Sequence, residues 1–258
     1  MHPEAFHFGS WAIHWYGILV ASGFLAGLWT ASRRGVREGL SPDRVLDLGP
    51  LLILGAMIGA RLLHIATYWR QSYADAPWTE LFALRTGFVF YGGLIGASLS
   101  GAAYLRWKRQ PLWKFADALA PSIALGSALG RLGCLMTGCC YGRACSLPWA
   151  IHFPREHETQ GMPVHPTQVY DSLLNFALYL GTAWLYRRKK FDGQVFAVFF
   201  IGYALIRATV ETFRGDYRPD DLIGPFTPAQ AMGIAILAVG VLLYTVLRRA
   251  GLRRPAAS

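Results

Sequence analysis

Residues 194–213 read "QVFAVFFIGYALIRATVETF". A helix of about 20 apolar residues is what a hydrocarbon core of ~30 Å requires. Two charges interrupt this run. Arg207 and Glu211 stand four residues apart, so a helix stacks them on one face, where they can pair. Tyr203 lies one turn earlier on the same face. A charge at mid-bilayer costs ~2.5–3.5 kcal/mol on insertion scales, which turns such a face toward a bundle interior or a polar cavity. The stretch therefore reads as a transmembrane helix with either a structural ion pair or a functional one inside it.

Six further runs have comparable length and apolarity: 12–32, 46–66, 88–105, 115–133, 168–186 and 229–247. The chain of 258 residues is 53% hydrophobic and 16% charged, too apolar for a soluble domain of this size. The reading is an all-α integral membrane protein, a bundle of about seven transmembrane helices in a single membrane domain over 1–258. The flank "MHPEAFHFGS" has no Lys or Arg before the first span, so that span does not read as a signal peptide. The tail "RRPAAS" is expected to lack structure.

The net charge of +10 raises nucleic acid as a partner, but its distribution argues against that. The basic residues form clusters between the apolar runs, at 33–37, 106–110, 187–190 and 248–254. With alternate gaps assigned to one side, that side holds sixteen Lys and Arg, and the other holds six. The positive-inside rule makes the first side cytoplasmic. The N-terminus is then outside and the C-terminus cytoplasmic, and the clusters serve topology and contacts with membrane lipids. The two long gaps, about 67–87 and 134–167, become outer-side loops. The first is rich in Trp and Tyr, as suits a segment at the interface.

Three arginines remain within the spans: Arg61, Arg131 and Arg207. Arg131 can snorkel to the interface. Alternatively Arg131 and Arg207 converge on one anion, since the planar guanidinium fork suits phosphate. Arg61 reads as structural, a partner for Asp117. Gly92, Gly93 and Gly96 open the third span and suit close helix packing, or a backbone cradle for phosphate at a helix N-terminus. Thr167 is expected to cap the fifth helix, and His165 and Gln168 beside it are candidate polar contacts to a headgroup.

Taken in order, "HWYG" (14–17), "GGLIG" (92–96), "GRLG" (130–133), "GCCYGR" (138–143), "HPTQVYD" (165–171) and "GYALIRATVETFR" (202–214) resemble the bacterial prolipoprotein diacylglyceryl transferase family over nearly the whole chain. The resemblance implies transfer of the diacylglyceryl group of phosphatidylglycerol to the cysteine thiol of a prolipoprotein signal sequence, in the bacterial cytoplasmic (inner) membrane. It implies a thioether product, and no cofactor or metal. It assigns Arg131, Arg207, Glu211 and Tyr91 to catalysis. Tyr16, Tyr203, Gly92, Gly93 and His165, together with the two arginines, fall to phosphatidylglycerol binding. Three positions depart from the family pattern: Tyr91 stands where histidine is usual, Cys134 replaces asparagine and Cys139 replaces glutamate. These departures open one alternative, a lipid-binding member with lost or changed chemistry; the cysteine cluster by itself opens a second, a membrane thiol protein handling redox equivalents or metal. Tyr91 is a poor base with an ordinary phenol pKa of ~10, so the peptide thiol is expected to lose its proton elsewhere.

The four cysteines, Cys134, Cys139, Cys140 and Cys145, follow a C-x4-C-C-x4-C pattern. Structural zinc sites use well-separated C-x2-4-C pairs, so the match to that class is poor. An oxidising outer compartment favours disulfides, either Cys134–Cys139 with Cys140–Cys145 or Cys134–Cys140 with Cys139–Cys145. Free thiols, a reactive thiol and a metal site are the alternatives.

Overall fold

The computed structural model describes residues 4–8, 11–74, 87–215 and 227–252. The tail 253–258 and most of the first outer loop, 75–86, lie outside the described residues. The chain forms two compact units, one of residues 1–34 with 116–258 and the other of residues 35–115.

The first unit begins with a hairpin, β1 (Glu4–Phe8) and β2 (Trp11–His14), which leads into helix α1 (Trp15–Val36). The expected first span began at residue 12; strand pairing takes residues 12–14, and the helix starts at Trp15. Helix α2 (Pro42–Thr67), a π-helical turn (Trp69–Tyr73) and α3 (Phe90–Trp107) belong to the second unit. Helix α4 (Leu112–Thr137), the short pair β3 (Ile151–His152) and β4 (Pro163–Val164), α5 (Thr167–Tyr186), α6 (Gln194–Glu211) and α7 (Pro228–Leu252) follow. Seven α-helices among the described residues thus fall on the seven expected spans.

Five of them, α1, α2, α4, α6 and α7, are long and apolar enough to cross a membrane by length and composition. Helix α5 falls below that measure because Gln168, Asp171, Ser172, Asn175 and Thr182 lower its hydropathy. All five are buried, whereas Leu173, Phe176, Leu180 and Trp184 are exposed. A polar inner face and an apolar outer face invert the rule for a water-soluble helix. In hydrocarbon the same pattern is stable, because most of the buried polar atoms find partners within the protein and the outer face meets lipid.

Within the first unit, polar contacts lock the helices together. Ser122 on α4 donates its hydroxyl to Gly27 O on α1 at 2.6 Å, and Ser172 on α5 donates to Ala128 O on α4 at 2.9 Å. Asp117, fully buried on α4, accepts from Lys189 Nζ (2.9 Å), Gly193 N (2.8 Å) and Phe196 N (3.0 Å). It neutralises a lysine and satisfies orphan N–H groups at the start of α6. This corrects the expected Arg61–Asp117 partnership: the carboxylate is committed to Lys189 and the α6 terminus.

In the second unit, Arg61 is buried, donates to Gly87 O at 3.4 Å and lies 5.5 Å from the Tyr73 ring centroid. These contacts tie it to the loop before α3 and to the π-helical turn. Helices α2 and α3 approach so closely that a Cβ at Gly59 would strike Gly92 O, and one at Gly92 would strike Gly59 O. The "GGLIG" glycines thus serve packing, the first of the two expected roles.

Candidate phosphate and thiol site

Arg131 lies near the end of α4 and Asp171 one turn into α5. The Arg131 Nε to Asp171 Oδ2 distance is 2.7 Å, with Asp171 almost fully buried and Arg131 partly exposed. Asn175, one turn further along α5, donates Nδ2 to Asp171 Oδ1 at 2.5 Å and to its backbone carbonyl at 2.9 Å. A guanidinium held through Nε still carries N–H donors on its Nη groups, and the planar fork can engage two phosphate oxygens. On α6, Arg207 Nη1 pairs with Glu211 Oε2 at 2.8 Å, and Thr227 donates its hydroxyl to Glu211 Oε1 at 2.5 Å. The helical spacing predicted this pair. Asp171 lies within electrostatic range of Arg131, Arg207 and Arg214. The two intramembrane arginines are therefore brought toward one buried carboxylate.

Tyr16 at the start of α1 reaches the same region. It packs against Gly133, where an added Cβ would sit 3.0 Å from its ring, and it lies within electrostatic range of Arg131, Cys134, Cys139 and Cys140. Tyr203 is in range of Arg131, with its ring stacked on Phe199 at 6.0 Å. His165 belongs to an aromatic group. Its Nδ1 is 3.3 Å from Tyr170 Oη, its ring centroid is 5.2 Å from that of Phe213, and Trp149 Nε1 donates to Tyr170 Oη at 2.8 Å. Tyr91, exposed in the first turn of α3, belongs to the second unit together with Gly92 and Gly93.

The cysteine loop folds back over the end of α4. Gly138 (φ 83°) and Cys140 (φ 60°) both adopt left-handed backbone conformations. A non-glycine residue there costs ~1–2 kcal/mol and persists only where its surroundings hold it. Here the first turn of α5 does so. Thr167 Oγ1 donates to Cys140 O and Gln168 Nε2 donates to Cys139 O, each at 2.7 Å. Thr167 was expected to cap α5. It is instead the first helical residue, and its hydroxyl is spent on the cysteine loop. Gln168 Oε1 is buried without a hydrogen-bond partner among the described residues.

Further along, Gly142 N donates to His165 O (3.0 Å) and Arg143 N to Phe213 O (2.9 Å), tying the loop to the end of α6. Only glycine fits at 142, since a Cβ would lie 2.5 Å from His165 Cβ and 2.8 Å from Phe213 O.

Neither expected disulfide pairing is present in the structure, where all four cysteines are unbonded. The sulfurs of Cys134, Cys139 and Cys140 lie within 4.8 Å of one another, and Cys145 is not part of that group. The neighbouring Cys134 and Cys140 side chains, aided by Thr137 Oγ1 at 3.3 Å, hold the Cys139 thiol well below the ordinary thiol pKa.

Asp171 and Asn175 escaped the sequence reading. The rule that singled out Arg131 and Arg207, an ionisable group inside a span, applies equally to Asp171, which ends "HPTQVYD" within the fifth run.

The helical membrane scaffold thus sets Arg131 against the buried Asp171, with Arg207 acting electrostatically on the same carboxylate. Residues 3–246 match the family model described as prolipoprotein diacylglyceryl transferase. A phosphatidylglycerol–prolipoprotein diacylglyceryl transferase of Bacillus cytotoxicus is 34% identical over 253 residues, covering 96% of this chain and 92% of the relative. Proteins of the same name from Clostridium tetani (30% identical; 96% and 98% covered) and Synechococcus elongatus (33%; 93% and 85%) are similar over comparable lengths. The chain belongs to the prolipoprotein diacylglyceryl transferase family.

Proposed function

We propose that this protein transfers the diacylglyceryl group of phosphatidylglycerol to the cysteine thiol of a prolipoprotein signal sequence, as a multi-pass protein of the bacterial cytoplasmic membrane with its N-terminus outside. The observation that carries the reading is the pairing of Arg131 with the buried Asp171 and of Arg207 with the buried Glu211, with Arg207 also acting on Asp171. The reaction displaces phosphate from a glycerol carbon by sulfur. The S–C bond forms, the C–O bond to phosphate breaks, glycerol phosphate leaves and the thiol proton is released.

Charge accumulates on the departing phosphate, and cations fixed beforehand stabilise it without reorganisation. Arg131 and Arg207 hold the phosphate; Glu211 orients Arg207 and Asp171 orients Arg131. Tyr16, Tyr203 and His165 contact the lipid; the resemblance adds Gly92, Gly93 and Tyr91 of α3 as headgroup contacts. Lipid enters from the side of the bundle and the peptide from the outer leaflet.

Purified protein incubated with phosphatidylglycerol and a peptide carrying the signal-sequence cysteine should yield diacylglyceryl-peptide and glycerol phosphate. A member that binds the lipid without transferring would give neither product. The replacements at 91, 134 and 139 motivate that second reading.

A further inference from the structure

The proposed chemistry needs a thiolate, because a thiol is a weak nucleophile. The histidine expected beside "GGLIG" is a tyrosine here. In the same chain, the positions that depart from the family pattern in the "GRLG" to "GCCYGR" region are cysteines, and the fold gathers their sulfurs. Cys134 comes from the last turn of α4. Cys139 and Cys140 return to it through two left-handed residues, and their carbonyls are clamped by Thr167 and Gln168, both about 1% exposed. The side chains thus converge while the backbone is satisfied from the other side.

We propose that Cys134, Cys139 and Cys140 bind one zinc ion as three thiolates and leave its fourth position to the incoming peptide thiol. The inference rests on the diacylglyceryl-transfer reading and supplies the group that activates the nucleophile.

Zinc suits the donor set. It is borderline soft, has no redox chemistry, and forms catalytic sites with three protein ligands and one open position. Tetrahedral geometry at a Zn–S distance of ~2.3 Å places sulfurs about 3.8 Å apart. Sulfurs already within 4.8 Å reach that spacing by small side-chain rotations. The poor match in sequence spacing concerned closed four-ligand sites, whereas a three-ligand site needs only the convergence seen here. Cys139 is exposed, so the cluster has an accessible side. Arg131 lies within electrostatic range of Cys134 and Cys140, where it offsets the net negative charge of a zinc trithiolate and places the phosphate-binding edge beside the nucleophile.

The step balances without a redox partner. The peptide thiol binds zinc and releases its proton to water, and the zinc-held sulfur attacks the glycerol carbon. The electron pair of the C–O bond leaves with the phosphate. The product thioether carries no charge, is a weak ligand and departs.

The test uses full-length, reduced protein in detergent, titrated with Co²⁺ as a spectroscopic substitute for zinc. The expected result is one ion per chain, with thiolate-to-cobalt charge-transfer absorption and tetrahedral ligand-field bands. Adding the cysteine peptide should alter those bands, and a peptide with serine in its place should not. Cys134→Ser, Cys139→Ser and Cys140→Ser should each weaken binding at least tenfold, while Cys145→Ser retains it.

In the transfer assay, stripping metal from the wild type should slow the reaction about 30-fold at pH 7. That is the cost of relying on the ~3% of a thiol of pKa ~8.5 that is ionised there. The deficit should shrink toward pH 9, and added zinc should restore the rate. Absence of cobalt binding by reduced protein, a disulfide within the triad in protein isolated without reductant, or transfer indifferent to metal removal would each overturn the inference and leave the transferase reading standing. Loss of that reading shows separately, as no transfer with or without zinc; cobalt spectra that ignore the peptide thiol would then overturn the inference as well.

Discussion

Asp171→Asn isolates the anchor of Arg131. The substitution keeps size and one acceptor oxygen but removes the charge that faces Nε at 2.7 Å. Unit charges ~4 Å apart attract by about 4 kcal/mol at an effective dielectric near 20. Part of this returns, because a neutral amide is cheaper to bury than a carboxylate, and Arg131 is partly exposed and screened. The net loss should be about 1.5–3 kcal/mol, that of a hydrogen bond to a charged group. In the apo protein this appears as a modest fall in thermal stability. In catalysis the effect is geometric: an arginine released from its anchor misplaces the phosphate, and errors of ~1 Å cost about 10²-fold. Initial rates of peptide modification across phosphatidylglycerol concentrations should show kcat/KM about 100-fold below wild type, carried by kcat as well as KM, with partial rescue by Asp171→Glu. Rates within threefold of wild type in Asp171→Asn would refute the anchoring role.

Further outcomes follow from the same geometry. Arg207→Ala should abolish transfer while membrane insertion persists, and Arg207→Lys should recover little because the two-pronged contact is lost; product mass and membrane fractionation read the two effects. Glu211→Gln should retain appreciable activity, since one amide atom can accept from Arg207 and the other can donate to the Thr227 hydroxyl that now bonds Glu211 Oε1; inactivity together with loss of one limb of the pH–rate profile would make Glu211 an acid–base group. Gly142→Ala drives a methyl group into His165 and the Phe213 carbonyl, and should cost ~1–3 kcal/mol in thermal unfolding and disorder the cysteine loop. Tyr91→Phe should lose about one charged hydrogen bond, ~1.5–3 kcal/mol in kcat/KM, and complete loss would instead assign Tyr91 the base.

The helices were legible because hydrocarbon imposes length and apolarity on each span, and the Arg207–Glu211 pair because four-residue spacing fixes a helical face. Contacts between helices were not. Asp117 was given to Arg61 on the basis of charge alone, yet it binds Lys189 and the start of α6. Thr167 had the right residue type for a cap, but tertiary packing drew its hydroxyl to Cys140. The Asp171 anchor lies forty residues from Arg131, beyond the reach of any local pattern. The cysteine spacing concealed a three-sulfur cluster because two left-handed residues, Gly138 and Cys140, set its geometry.

Chemical transfer is read out by mass spectrometry of the peptide product. Incubation of the purified protein with phosphatidylglycerol and the cysteine peptide should add one diacylglyceryl group through a thioether, release an equivalent of glycerol phosphate and leave the serine peptide unchanged. Tight phosphatidylglycerol binding by protein that leaves the cysteine peptide unmodified, with and without added zinc, would contradict the account.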